Sequence, residues 1–186
     1  EEVGDYDIVI NLAGKSIFTL WTERVKKEIY NSRVLTTQNL SESLAAASKT
    51  VFFSTSAVGY YGDRGEDILT ETEPQGDDFL AKVCRDWEDA ALRAETDNVR
   101  VVLTRFGIVM HRDGGAMASM LSAFKFFVGG RLGSGQQWFP WVHLNDLIDA
   151  YRFAIDHQEL SGPVNWCAPH PLRNNELTKK VAAKLN

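Results

Sequence analysis

No run among the 186 residues approaches the roughly 18 consecutive apolar residues of a membrane-spanning helix. The opening Glu1, Glu2, Val3, Gly4, Asp5 lacks the basic and apolar regions of a secretory signal. Cysteine is scarce. Cys84 and Cys167 are too few for a disulfide framework and sit in apolar company, which points to reduced thiols. Positive charge is in deficit, with 20 Lys and Arg against 25 Asp and Glu and a net charge of −5. Nucleic-acid binding needs a basic stripe, so that class is excluded. A Gly-x-Ser-x-Gly hydrolase elbow, internal repeats and low-complexity tracts are also missing. These absences predict a protein of the cytoplasm, or of an organelle's stroma or matrix after processing, with neither membrane nor nucleic acid as partner.

What is present is the composition of a globular chain, 44% hydrophobic and 24% charged. The length suits one domain over 1–186. The nearly continuous apolar run of Ile8, Val9, Ile10, Asn11, Leu12 and Ala13, ending in Gly14, reads as a fully buried parallel strand covered on both faces. A helical pattern follows from about Thr22 to Ala47, marked by Val25, Ile29, Val34, Leu40 and Leu44. A second buried strand covers 51–56, and Leu80, Val83, Cys84, Trp87 and Ala91 mark an amphipathic helix. A third strand spans 99–104. The order β-α-β-α-β implies a parallel sheet with right-handed connections, in which 8–13, 51–56 and 99–105 lie side by side. Ligands on such sheets bind beyond the carboxyl ends of the strands, which puts 12–14, 54–56 and 105–109 on one rim. Farther on, Met117, Met120, Leu121 and Phe124 predict a helix, and 128–137 a glycine-rich loop. Asn145 reads as the N-cap of a helix through Leu147, Ile148, Tyr151 and Ile155. A last helix starts near Asn174. Residues 1–110 form the core sheet portion and about 111–186 a mixed lobe.

No G-x-G-x-x-G follows a strand, and the one glycine cluster, 129–135, neither follows a buried strand nor leads into a helix. Cys167 and His170 form a lone C-x-x-H pair without a partner pair, so no metal is expected. Trp138, Phe139 and Trp141 can stack a base or a sugar, or simply pack a loop.

The blocks Asn11-Leu12-Ala13-Gly14, Ser54-Thr55-Ser56 through Asp63, and Gly133-Ser134-Gly135-Gln136 through Asp146 occur in the order and spacing of extended short-chain dehydrogenases. Trp21-Thr22-Glu23, Ser32-Arg33-Val34, Gly76 through Leu80, Trp87-Glu88 and Arg112 through Met117 narrow this further. The chain resembles the atypical epimerase family protein group, also labelled nucleoside-diphosphate-sugar epimerase or cell-division-inhibitor-like. The resemblance implies a Rossmann-like, doubly wound α/β parallel sheet with a small C-terminal substrate lobe, and NADP or NAD as cofactor. It also implies that relatives open with about two βα units bearing a Gly-rich loop and close with a C-terminal extension. Neither is in this chain, which reads as a partial domain expected to bind dinucleotide poorly by itself and to self-associate.

In that family a Ser after the second strand polarises the substrate oxygen, and a helix Tyr, with a Lys one turn later, moves the proton. Ser56 matches the Ser, either as a catalytic ligand contact or as a strand-end hydrogen bond. Counting back from Glu88 puts Leu80 at the Tyr and Cys84 at the Lys, and neither can do that chemistry. Tyr60 and Arg64 have the dyad's spacing but lie in a Gly-rich turn. By resemblance, Leu12, Ala13, Gly14, Glu28, Arg33, Thr55, Arg105 and Val109 surround the cofactor; the alternatives are a solvated face for Glu28 and Arg33 and ordinary core for Val109. His143 and Asp146 match a family block, although an Asp in a first helical turn is favoured by the dipole alone. Two functions follow. One is an NAD(P)H-dependent oxidoreductase or nucleotide-sugar epimerase acting on an unknown small molecule. The other is a catalytically silent dinucleotide-binding regulatory module, linked for instance to cell or plastid division.

Overall fold

The computed structural model describes residues 3–112, 114, 117, 121, 130 and 133–185. The chain forms two compact units, Glu1–Arg105 with His157–Asn165, and Phe106–Asp156 with Trp166–Asn186. The first unit holds strand β1 (Ile8–Asn11), helix α1 (Glu23–Ser43), strand β2 (Thr50–Ala57), helix α2 (Phe79–Leu92) and strand β3 (Val99–Phe106). The chain continues through β4 (Ile108–His111), β5 (Trp138–Phe139), β6 (Trp141–His143), α3 (Leu144–Asp156), β7 (Gly162–Trp166), β8 (Leu172–Arg173) and α4 (Asn174–Leu185). The units divide after Arg105, and 157–165 belong to the first unit, where β7 joins β3 in the sheet.

The central sheet has the order β1-β2-β3-β7. β1 and β2 run parallel, with Ile8 opposite Val51 and Asn11 opposite Ser54. β3 follows the same direction: the Thr50 amide donates to the Asn98 carbonyl at the start of β2, and the Thr104 hydroxyl to the Ser54 carbonyl near its end. Both helices begin where an N-cap can be made. Thr22 accepts from the Val25 amide at 3.3 Å and Asp78 from the Ala81 amide at 2.8 Å. Their apolar stripes meet one face of the sheet, where Leu44, Phe52, Ala91, Val101 and Leu103 form the core and Val9 packs against it. Period-2 alternation puts Ile8 and Ile10 on the opposite face.

That opposite face corrects one expectation. β1 is not covered on both faces: Ile8 and Ile10 are 40% and 43% exposed. It is the edge strand among the described residues, and its apolar run reflects its place in a parallel sheet rather than complete burial.

The second unit is built separately. β4 and β6 pair in parallel, and β5 and β8 antiparallel. Met110, Leu177 and Val181 form its core, joined by Phe139 and Trp141. Its helix α3 starts one residue earlier than the expected Asn145 cap. His143 Nδ1 accepts from the Asn145 amide at 3.2 Å, so an imidazole fills the capping role and Asp146 sits in the first turn. Met120 and Phe124 of the expected helix lie outside the described residues, as do 129, 131 and 132 of the glycine cluster 129–135.

Candidate functional site

The rim expected at the carboxyl ends of the strands begins with a turn. Asn11 Oδ1 accepts from the Ala13 amide at 3.1 Å, which ends the β1 ladder and exposes Leu12. α1 runs back alongside this turn and is tied to it. The Lys15 amide donates to Ser32 Oγ at 2.9 Å, and Lys15 Nζ meets Glu28 at 2.6 Å. Glu28 also accepts from Arg24, and hydrogen bonds from Lys15 and Arg24 pull its carboxyl down to about 2. Its oxygens therefore serve an ion pair at the surface.

Arg33 is placed differently. It is half-buried, lies with its guanidinium carbon 5.3 Å from the Trp87 ring centroid, and donates to the Ile29 carbonyl at 3.2 Å. No carboxylate pairs with it among the described residues, and burial lowers its pKa from the usual guanidinium value. A Cβ on Gly14 would lie 3.0 Å from that guanidinium carbon, so the bare glycine is what lets the cation stand beside the turn. Across the sheet, Thr55 continues the face of Ile10 and Phe53. Its buried Oγ1 has no partner among the described residues. A half-buried cation without a counter-ion among the described residues, set beside a turn open to solvent at Leu12, suits an anionic ligand.

Ser56 occupies the other face. It is 1% exposed, and its hydroxyl donates to Glu88 Oε1 at 2.6 Å. Glu88 and Arg105 form a buried, bidentate ion pair at 2.8 and 2.7 Å. Arg105 also donates to Tyr61 Oη at 2.9 Å and to the Glu71 carbonyl, and Tyr60 lies over it with its ring centroid 3.6 Å from the guanidinium carbon. Burial opposes the Arg105 charge, and the Glu88 and Tyr61 hydrogen bonds outweigh it and raise the pKa. Arg105 is 3% exposed, and its guanidinium is engaged by Glu88, Tyr61 and the Glu71 carbonyl. Tyr61 passes the network on to Asn165 Oδ1 at 2.7 Å.

The positions of the missing dyad carry no proton chemistry. Leu80 packs toward Gly59, and burial together with Glu88 pushes the Cys84 thiol up to about 11, so it is neutral over the working range. Tyr60 and Arg64 do not form a substitute. Tyr60 faces Arg105, whereas Arg64 pairs with Asp67 and Glu73.

Leu12, Ala13, Gly14, Glu28 and Arg33 are therefore gathered at one edge, Thr55 faces its neighbouring strand's open side, and Ser56 and Arg105 lie in a network behind it. Val109 belongs to the second unit, paired in register with Val142. In the same unit Trp138 lies under Arg173, 4.0 Å from ring centroid to guanidinium carbon, and Trp141 Nε1 donates to the His170 carbonyl, so two of the loop aromatics already have partners. No group of three or more His, Cys, Asp or Glu gathers as a metal-ligand set among the described residues. Sequence reasoning missed Glu88 as a functional group. The signal was available: Cys84, Trp87, Glu88 and Ala91 lie on the buried stripe of α2, and a carboxylate there requires a buried partner.

A parallel sheet with helical crossovers defines the Rossmann-like α/β class. Within it, the chain belongs to the NAD dependent epimerase/dehydratase family, whose profile matches residues 1–166. It is 44% identical over 182 residues to a chloroplastic epimerase family protein SDR39U1 homologue of Arabidopsis thaliana, covering 96% of this chain and 52% of that protein. The crystal structure of human epimerase family protein SDR39U1 (isoform 2) with NADPH superimposes with a TM-score of 0.88 at 35% identity, over 97% of this chain and 63% of that one. A nucleoside-diphosphate sugar epimerase from Corynebacterium glutamicum gives 0.83 at 40% identity, over 96% of this chain and 38% of that one. The chain thus spans only part of the length of the proteins it matches. No described helix is long and apolar enough to cross a membrane.

Proposed function

We propose that this chain supplies the edge of an NADP(H) or NAD(H) site in an oxidoreductase or nucleotide-sugar epimerase acting on a small molecule. The observation that carries the reading is Arg33, a half-buried guanidinium with no carboxylate, set against the bare backbone of Gly14. A planar guanidinium in that setting suits a phosphate oxygen. Leu12 and Ala13 offer backbone to the same ligand. A bound nicotinamide supplies hydride transfer; the chain's own part is to bind and orient it. The human relative crystallised with NADPH supports this choice of ligand. The compartment we favour is the cytoplasm or an organelle's stroma or matrix, the latter in line with the chloroplastic relative.

The test is calorimetry on the full-length protein. Arg33→Ala should weaken NADPH binding by ~1–3 kcal/mol if the guanidinium meets a phosphate. Unchanged affinity would remove Arg33 from the site.

A second reading, that of a dinucleotide-binding regulatory module without turnover, is favoured by Leu80, Cys84 and the sealed Ser56. Incubating the full-length protein with NADPH and a panel of carbonyl and nucleotide-sugar substrates separates the two. Turnover supports the enzyme, whereas tight binding without turnover supports the module.

A further inference from the structure

The edge that carries Arg33 is held from behind by three side chains almost out of reach of water. Asn11, Thr37 and Trp87 are 4%, 0% and 4% exposed. They converge on one hydroxyl. Thr37 Oγ1 accepts from Asn11 Nδ2 at 2.8 Å and from Trp87 Nε1 at 2.8 Å. Each donor controls a different part of the edge. Asn11 uses its other amide atom, Oδ1, to accept from the Ala13 amide, and so shapes the turn at 12–14. Trp87 presents its ring to Arg33. Arg33 itself lies four residues before Thr37 on α1, on the same helix face. One buried oxygen therefore sets the backbone turn and the guanidinium against each other, the two parts that an anionic ligand must meet together.

We propose that Thr37 is a positioning residue for the dinucleotide: it touches no ligand, but it fixes the 12–14 turn and the Arg33 guanidinium in the arrangement that holds a phosphate. The inference rests on the reading of Arg33 given above. Its physical basis is the cost of an unpaired buried donor. Without the Thr37 oxygen, the Asn11 amide and the Trp87 indole N–H must both find new partners. Rotating either side chain to do so moves the turn or the ring on which Arg33 rests. Networks of this kind are coupled, so the loss reaches beyond the pair that is cut.

The experiment uses the full-length protein, with NADPH affinity read by calorimetry and folding by circular dichroism. Thr37→Val keeps the size and branching and removes the acceptor, and it should weaken NADPH binding about tenfold. Thr37→Ser keeps the acceptor and should restore most of the affinity. Trp87→Phe keeps a ring beneath Arg33 and removes only the donor. It should weaken binding in the same direction, and it decides the question if Thr37→Val does not fold. In an Arg33→Ala background the effect of Thr37→Val should shrink, because part of it acts through the guanidinium. A merely structural Thr37 would lower the Tm yet leave the affinity ratio the same in both backgrounds. The proposal is overturned if folded Thr37→Val and Trp87→Phe both bind within about twofold of wild type, or if the Thr37→Val effect is undiminished without Arg33. A wild-type protein that does not bind NADPH overturns the dinucleotide reading and this role together. Wild-type binding with an indifferent Thr37 overturns the positioning role alone.

Discussion

Glu88 and Arg105 are 6% and 3% exposed, and each is tolerable in the interior only because the other is there. The pair is anchored at both ends, by the Ser56 hydroxyl on Glu88 and by Tyr61 and the Glu71 carbonyl on Arg105. Removing one charge leaves the other buried and unmatched. Glu88→Gln should therefore destabilise the full-length protein by about 3–5 kcal/mol in urea unfolding. Replacing both residues with Leu and Met of similar volume should cost much less than the single change. A Glu88→Gln protein within ~1 kcal/mol of wild type would show that the pair is not held as described. The family resemblance located Ser56, Leu80 and Cys84, because its pattern is counted along one strand and one helix. The Glu88–Arg105 pair joins a helix to a strand, so its geometry exists only after α2 packs on β3. The same holds for Thr37, whose partners lie 26 and 50 residues away.

Between β2 and α2 the chain makes a short 3-10 turn, Val58–Tyr61, and then a long strap over 62–78. The strap is pinned at its middle by Asn165, whose amide donates to Glu71 Oε1 at 2.8 Å and whose Nδ2 donates to the Leu69 carbonyl. It is closed at its end by Gly76, whose amide donates to the Tyr60 carbonyl at 2.9 Å. There the backbone passes so near itself that a Cβ on Gly76 would lie 2.8 Å from both the Gly62 Cα and the Tyr61 carbonyl oxygen. Backbone cannot yield as a flexible side chain does. Gly76→Ala should cost about 1–3 kcal/mol, read from the urea midpoint. An unaffected midpoint would mean that the strap is not closed there. Elements with strong periodicity were legible from sequence: α1 opens at Thr22, α2 carries its apolar stripe, and β2 and β3 sit where their apolar runs predict. β7 was not, since Gly162 and Pro163 break the pattern and proline has no N–H for a ladder. β5 and β8 have two residues each, too short for any period to show. The expected first strand ran to Ala13, but the ladder stops at Asn11, because the Asn11 side chain takes the Ala13 amide for a turn.

At the scale of the whole molecule, one surface stands out from the rest. Among the described residues β1 is the edge of the central sheet, so a row of its backbone N–H and C=O groups has no neighbouring strand there. Its outward apolar side chains are also exposed, with Ile8 at 40%, Ile10 at 43% and the following Leu12 at 64%, beside the buried Val51 and Phe53 of β2. Either feature alone is common at protein surfaces. Together they offer another chain both backbone pairing and apolar cover, the combination that drives edge-to-edge association. The formal charge of −5 opposes association only weakly at physiological salt, where charges more than about 8 Å apart are largely screened. We therefore expect the 186-residue chain, purified alone, to self-associate at concentrations on the order of 100 μM in light scattering coupled to gel filtration. Ile8→Lys with Ile10→Lys places two charges on the open face while leaving Val9 in the core, and should return the chain to a monomer. Association that survives both lysines would assign it to a surface other than β1. A wild-type chain that stays monomeric throughout would show that the open strand is not adhesive.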